Sequence, residues 1–114
     1  MANSSVYFRF LNLSHAINDD IAGVDLSAIR LLEEIAVAHA NGSPLTVTNA
    51  MELSSIASPA TLHRKLDTLR EAGLIDQVFE GTNRRTKYLS PTKAAAKYFE
   101  SMGKALEQAT RQDT

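Results

Sequence analysis

Thr61, His63, Arg64 and Lys65 lie within a single turn and a half of the stretch SPATLHRKLDTLREAGLI, Ser58 to Ile75. All four side chains can donate hydrogen bonds, and arginine and lysine add positive charge. Such a set suits the phosphate oxygens and base edges of nucleic acid, provided that a rigid element presents it on one side. The plain alternative is a solvated helix face with ordinary surface charges.

The element that must present them is legible in the same stretch. Ser58 is a good N-cap, because its hydroxyl can accept from the free N–H groups of a first turn. Pro59 follows at the first helical position, where its fixed φ helps and its missing N–H costs nothing. Leu62, Leu66 and Leu69 are four and three residues apart and share one inward face. Gly73 can take the left-handed conformation that ends a helix. The spacing thus predicts a helix over 59–72. Ala60, Thr61, Arg64, Asp67, Thr68 and Glu71 point away from the leucines, with His63 and Lys65 on the flanks. An α-helix of this kind fits the major groove of duplex DNA.

A second basic feature follows at once. Asp76–Glu80 and Thr86–Ser90 carry β-branched and aromatic residues around the turn-rich centre Gly81-Thr82-Asn83-Arg84-Arg85, which reads as a β-hairpin. Its tip, a wing over 80–87, can carry Arg84 and Arg85 beside the helix, within reach of a phosphate or a narrow minor groove. Two adjacent loop arginines are ordinary surface charge when taken alone. A capped basic helix leading directly into a basic-tipped hairpin is a more specific pattern.

The rest of the chain supplies the frame. Residues 1–5 are expected to be disordered, and the apolar stretch Val6–Asn18 to be a helix that packs on its own domain or on a partner chain. Asn18-Asp19-Asp20 and Gly23 mark a break. Asp25 is the expected N-cap of a helix whose apolar stripe is Leu26, Ile29, Leu32, Ile35 and Ala36, with Leu31 and Val37 nearby. Asn41-Gly42 and Pro44 end it. Leu45-Thr46-Val47 is expected as a short strand. Thr48 or Asn49 then caps a short helix, Asn49 with Glu52 resembling a capping box. That helix, the turn Ser54–Ala57 and the basic helix together make a helix-turn-helix. Thr92 or Ser90 caps a last helix with Tyr98, Met102 and Leu106 four apart, fraying from Gln108. The resulting divisions are an N-terminal extension (1–24), a winged helix-turn-helix domain (25–92) and a C-terminal helix (93–114).

Composition bounds the function. At 114 residues the chain has the length of one domain. There are no cysteines, which excludes disulfides and thiolate metal sites and fits a reducing compartment. No apolar run is long enough to span a bilayer. The start MANSSVYFRF lacks the basic end and apolar core of a secretory signal, so a cytoplasmic protein is expected. The net charge is only −1, but it is unevenly placed. Residues 59–97 hold eight basic and four acidic side chains, whereas residues 1–58 hold two basic and six acidic. A basic segment inside a neutral chain is the footprint of a local polyanion site.

The pattern resembles the MarR-type winged-helix regulators over about residues 45–103, and more loosely from Asp25. The resemblance rests on LTVT ahead of the short helix, on SPATLHRKLDTLREAGLI, and on NRRTKYLSPTKAA for the wing and last helix. It implies a mainly α fold with a small β-hairpin, a three-helix core plus wing, with additional N- and C-terminal helices. It implies a transcriptional regulator in which the second helix of the motif reads the major groove and a wing arginine reaches the minor groove. Ser58, Thr61, His63, Arg64 and Lys65, with Thr68 further along, would be helix contacts, and Asn83, Arg84, Arg85 and Lys87 wing positions. Family members often have an aspartate before the wing arginines; here that position is Asn83. They are usually homodimers built from terminal helices, which the 6–18 and 92–107 segments suit. A small-molecule effector pocket is common among them, and nothing in this sequence names its ligand.

No catalytic, cofactor or metal site is expected. His15, His39 and His63 are scattered without ligand spacing. Ser54, Ser55 and Ser58 form no nucleophile elbow, and Gly81 belongs to no phosphate loop. Asp19, Asp20 and Asp25 lack the spacing of a calcium loop. Two other uses of the same fold remain open: a winged-helix module that binds protein instead of DNA, and a DNA-binding factor in replication or plasmid maintenance.

Overall fold

The computed structural model describes residues 2–19, 21 and 23–111. In chain order the elements are α1 (Ala2–Asp19), α2 (Leu26–Ala40), α3 (Val47–Met51), α4 (Pro59–Glu71), β1 (Ile75–Phe79), β2 (Lys87–Pro91) and α5 (Lys93–Arg111). The chain divides into two compact units. Residues 23–95 form one, and the N-terminal 22 residues with those from 96 onward form the other.

The first unit is the three-helix core and its hairpin. Ala28, Leu31, Leu32 and Ile35 of α2 are fully buried, as are Leu62 and Leu69 of α4, with Leu66, Ile75 and Leu89 nearly so or fully. Helix α2 packs against α4 and β2, and α3 packs against α4. Leu26 and Val37, expected near the apolar stripe, are instead 77% and 58% exposed. At 3.6 residues per turn both lie about half a turn from the centre of the buried face. β1 and β2 pair antiparallel, from Ile75 opposite Pro91 to Phe79 opposite Lys87.

The helix ends are closed as their residues dictate. Asp25 Oδ1 accepts from the Ala28 N–H at 2.9 Å. Gly73 has φ +74°; its N–H donates to the Arg70 carbonyl and the Leu74 N–H donates to the Leu69 carbonyl. This paired closure satisfies two otherwise free carbonyls and turns the chain sharply into β1. A Cβ at Gly73 would meet no atom within 4 Å, so the penalty for a side chain is conformational alone. Gly73→Ala is therefore expected to destabilise by about 1–2 kcal/mol, read as a lower urea midpoint with an unchanged slope.

Two local expectations are corrected. Leu45-Thr46-Val47 is not a strand: Leu45 contributes one sheet-like bond, its carbonyl accepting from the Leu89 N–H at 2.7 Å. Val47 already begins α3, because Thr46 is the cap. Thr46 Oγ1 accepts from the Asn49 N–H at 3.1 Å and Asn49 Oδ1 accepts from the Thr46 N–H at 3.0 Å. The capping box is thus Thr46/Asn49 and not Asn49/Glu52, and the reciprocal bonds turn the chain helical three residues earlier. At the start of α5, Thr92 is the cap: its Oγ1 accepts from the Ala95 N–H at 3.2 Å and donates to the Gly73 carbonyl at 2.7 Å.

In the second unit, Arg9 Nε donates to the Ala109 carbonyl at 2.9 Å. The Tyr98 hydroxyl donates to Asn18 Oδ1 at 2.8 Å. Tyr98, Ala105 and Ala109 are buried, whereas Leu106 is 53% exposed. The expected 98–102–106 row drifts off the face because each four-residue step overshoots a turn; positions 105 and 109 restore it. Residues 2–5, expected to be disordered, are the first turn of α1. Ser4 and Ser5 are exposed there, so water can serve the free N–H groups of that turn. The fraying expected from Gln108 also does not occur up to Arg111. Arg111 pairs with Glu107 at 3.1 Å, one turn back, and Thr110 Oγ1 donates to the Glu107 carbonyl at 2.8 Å. The Asp20 part of the expected break, and the tail beyond 111, lie outside the described residues.

Candidate nucleic-acid interface

The exposed side of α4 begins with a relay of hydroxyls. Ser58 Oγ accepts from the Thr61 N–H at 3.4 Å and donates to Thr61 Oγ1 at 3.1 Å. Arg64 Nη2 donates to the same Thr61 oxygen at 3.1 Å. That hydroxyl thus ties the cap of α4 to Arg64. Arg64 keeps further guanidinium donors and is exposed, as is His63. Thr68, one turn on, is half-buried and donates to the Arg64 carbonyl at 3.0 Å. The helix dipole makes this end of α4 favourable for anions. The C-terminal half differs: Asp67 lies 3.8 Å from Arg70, and Glu71 adds a further carboxylate.

Lys65 stands apart from its neighbours. Its ammonium donates to Asp25 Oδ2, so Asp25 caps α2 with one oxygen and holds Lys65 with the other. The Lys65 side chain is 25% exposed. The Lys65 hydrogen bond first, and the Ala28 N–H second, hold the Asp25 carboxyl below its ordinary value of 3.8. A carboxylate depressed in the folded state stabilises the fold above its unfolded value and loses that contribution as pH falls through the folded one. Asp25→Asn keeps the cap and removes the charge. Wild type is thus expected to exceed Asp25→Asn in stability above pH 3.8 and to converge with it below, seen in parallel acid titrations of thermal unfolding.

The hairpin tip is ordered by Asn83. Its N–H donates to the Glu80 carbonyl at 3.1 Å, and its Oδ1 accepts from the Arg85 N–H at 2.9 Å. The asparagine therefore shapes the loop through the backbone, an Asx-turn role that needs no carboxylate. Arg84 Cζ lies 5.5 Å from the Phe79 ring centroid, and Lys87 Nζ lies 5.6 Å from it. Both distances suit cation–π attraction. Phe79 thus holds two of the wing cations against β1. Arg85 is exposed at the tip.

Phe79 and Asp25 were missed as site residues by sequence reasoning. Phe79 looked like a strand former; only the register that sets it opposite Lys87 shows its second role. Asp25 was read as a cap, and its ion pair spans 40 residues of sequence. Ser58, Thr61, Arg64 and Thr68 form one connected group; in the wing, Asn83 is bonded to Arg85, and Arg84 and Lys87 share the Phe79 ring. His63 has no bond to either group. Among the described residues, no three His, Cys, Asp or Glu side chains gather as metal ligands, and no helix is long and apolar enough to cross a membrane.

No family model matches the sequence, and no curated protein matches it either. Solved structures do. The transcriptional regulator Tm0710 from Thermotoga maritima is similar with TM-score 0.71 and 16% identity, over 96% of this chain and 72% of that one. RV1404 from Mycobacterium tuberculosis is similar with TM-score 0.65 and 21% identity, over 90% and 67%. A MarR-like transcriptional regulator from Thermotoga maritima, Tm0816, is similar with TM-score 0.65 and 16% identity, over 82% and 63%. The chain thus spans about two thirds of the length of these structures. Their shared architecture, with five helices and one antiparallel hairpin among the described residues here, establishes that the chain has the MarR-type winged helix-turn-helix fold.

Proposed function

We propose that the chain is a sequence-reading duplex-DNA-binding protein that acts as a homodimer in transcriptional control, in the cytoplasm. The observation that supports this most is the Ser58–Thr61–Arg64 group. It puts a hydroxyl cluster and an exposed guanidinium on the N-terminal half of α4. In this reading α4 enters the major groove. Arg64 contacts a base edge or phosphate near its centre, with Thr61 and His63 beside it and Ser58 and Thr68 supporting. Lys65, first assigned to the same surface, is held by Asp25. Arg85, Arg84 and Lys87 meet the backbone or minor groove, the last two from the Phe79 ring and all on a loop shaped by Asn83.

The names of the similar structures favour regulation over other uses of this fold, and fold alone does not fix function. The homodimer draws on α1 and α5. Tyr7 and Phe8 of α1 are 57% and 61% exposed and Leu106 of α5 is also open, apolar surface that a second copy of the chain could cover. A small-molecule effector belongs to the same proposal only by likeness.

Fluorescence anisotropy against labelled random duplex and single-stranded DNA, at low and moderate salt, tests the reading. Preferential duplex binding that weakens with salt is expected. Absence of duplex binding at low salt would leave the protein-binding module as the account of this fold.

A further inference from the structure

We propose that Asp25 withholds Lys65 from bound DNA: the carboxylate occupies the ammonium that α4 would otherwise present to a backbone phosphate. The proposal rests on the DNA-binding reading above and deepens it. It assigns to Asp25, on another helix, control over how strongly α4 holds DNA of any sequence.

Arg64 and Lys65 are adjacent on the basic half of α4, yet only Arg64 faces solvent openly. Lys65 is turned to the flank, where its ammonium meets Asp25 Oδ2. The division of labour between the two Asp25 oxygens fixes that meeting point. Oδ1 is anchored by the Ala28 N–H at 2.9 Å, and the cap holds the carboxylate plane at the start of α2. Asp25 is in turn 56% exposed, so the pair sits at the surface and not within the core.

Electrostatics then sets the consequence. Lysine is a compact point charge on a flexible stem. Released, it can follow the backbone without demanding a particular base. Phosphate contacts carry no sequence information, so one more would strengthen binding to the preferred site and to random duplex alike. With Lys65 engaged, Arg64 is the one open full cation on the N-terminal half of α4. Base reading then forms a larger share of the helix's affinity.

Asp25→Asn separates the two roles of this residue, since asparagine caps about as well as aspartate but cannot hold the ammonium as an ion pair. Kd is measured against the preferred duplex and a random one, across a salt series, for wild type, Asp25→Asn, Lys65→Gln and the double variant. Thermal melts accompany each to confirm folding. Asp25→Asn is expected to steepen the salt dependence by about one phosphate contact, adding about threefold to the affinity lost between about 50 and 200 mM salt. Its tighter binding should be equal on both duplexes. Lys65→Gln alone should keep the wild-type salt slope and bind no tighter than wild type, its Asp25 carboxylate being left unpaired, and the double variant should return to wild-type binding.

An unchanged slope in Asp25→Asn would overturn the proposal. So would a gain that persists in the double variant, since it would come from lost repulsion between Asp25 and the backbone. A lost contact in Lys65→Gln alone would show that Lys65 already reaches DNA. If wild type binds no duplex at low salt, the DNA reading falls first, and no slope exists to compare; the two failures are therefore distinct.

Discussion

Leu66→Ala is expected to destabilise the protein by about 2–5 kcal/mol, enough to consume much of the stability of a small domain. Leu66 sits at the middle of the α4 leucine row and is 1% exposed. Truncation removes three carbons from a site walled by α2 and α4, where Leu32, Ile35, Leu62 and Leu69 are all fully buried. A helix pair held at both ends by caps cannot easily collapse onto the void, which favours the upper part of that range. The expected readout is a lower denaturant midpoint with an unchanged slope, the mark of lost stability without a changed unfolded state. A loss below about 0.5 kcal/mol, the scale of surface substitutions, would mean that α4 is not anchored by this row. The account of how Thr61 and Arg64 are aimed would then lose its footing.

Arg64→Ala is expected to weaken binding to the preferred duplex by about 1–3 kcal/mol, which is roughly 5- to 150-fold in Kd. Arg64 combines exposure, a brace through Thr61 Oγ1 at 3.1 Å and a position in the acid-poor half of α4. The form of the loss identifies the contact. A bidentate base contact would relax preference at one base pair, and Arg64→Lys would not restore it, because the planar fork is lost. A phosphate contact would weaken all duplexes evenly and reduce the salt slope by about one. Arg64→Ala removes the donor to Thr61 as well, so Thr61→Val, which leaves Arg64 in place, checks that the effect is not the relay's alone. Equal binding by Arg64→Ala and wild type would remove Arg64 from the reading mechanism.

Much of the architecture was legible in the sequence because its signals are local. Ser58, Pro59 and Gly73 mark the ends of α4 by the chemistry of caps, and Leu62, Leu66 and Leu69 mark its buried face by period. The structure repeats each of these. The hairpin was legible for the same reason: strand formers flank a turn-rich centre, and antiparallel pairing follows. What escaped was non-local or degenerate. Thr46, Thr48 and Asn49 are all competent caps, and the choice of Thr46 depends on Leu45 docking on Leu89 from across the chain. Leu26 and Leu106 are apolar at plausible spacings, but a helix face is decided by what lies opposite, and both face outward.

The candidate site divides in the same way. The donors of α4 and the wing could be named by type and position. Their couplings could not. The hold of Asp25 on Lys65 joins two helices, and the seating of Arg84 and Lys87 on Phe79 depends on hairpin register. Asn83 illustrates the limit of residue identity. Its oxygen holds the Arg85 backbone N–H, a loop-shaping role independent of charge.

If this winged helix reads duplex DNA as a symmetric pair through α4, selection from a random duplex pool will enrich a pseudo-palindrome whose half-sites are about one helical turn apart, with Arg64→Ala losing preference at one position in each half. A pool that emerges unenriched, with binding that vanishes as salt rises, would contradict it and leave only a basic patch on a winged-helix scaffold.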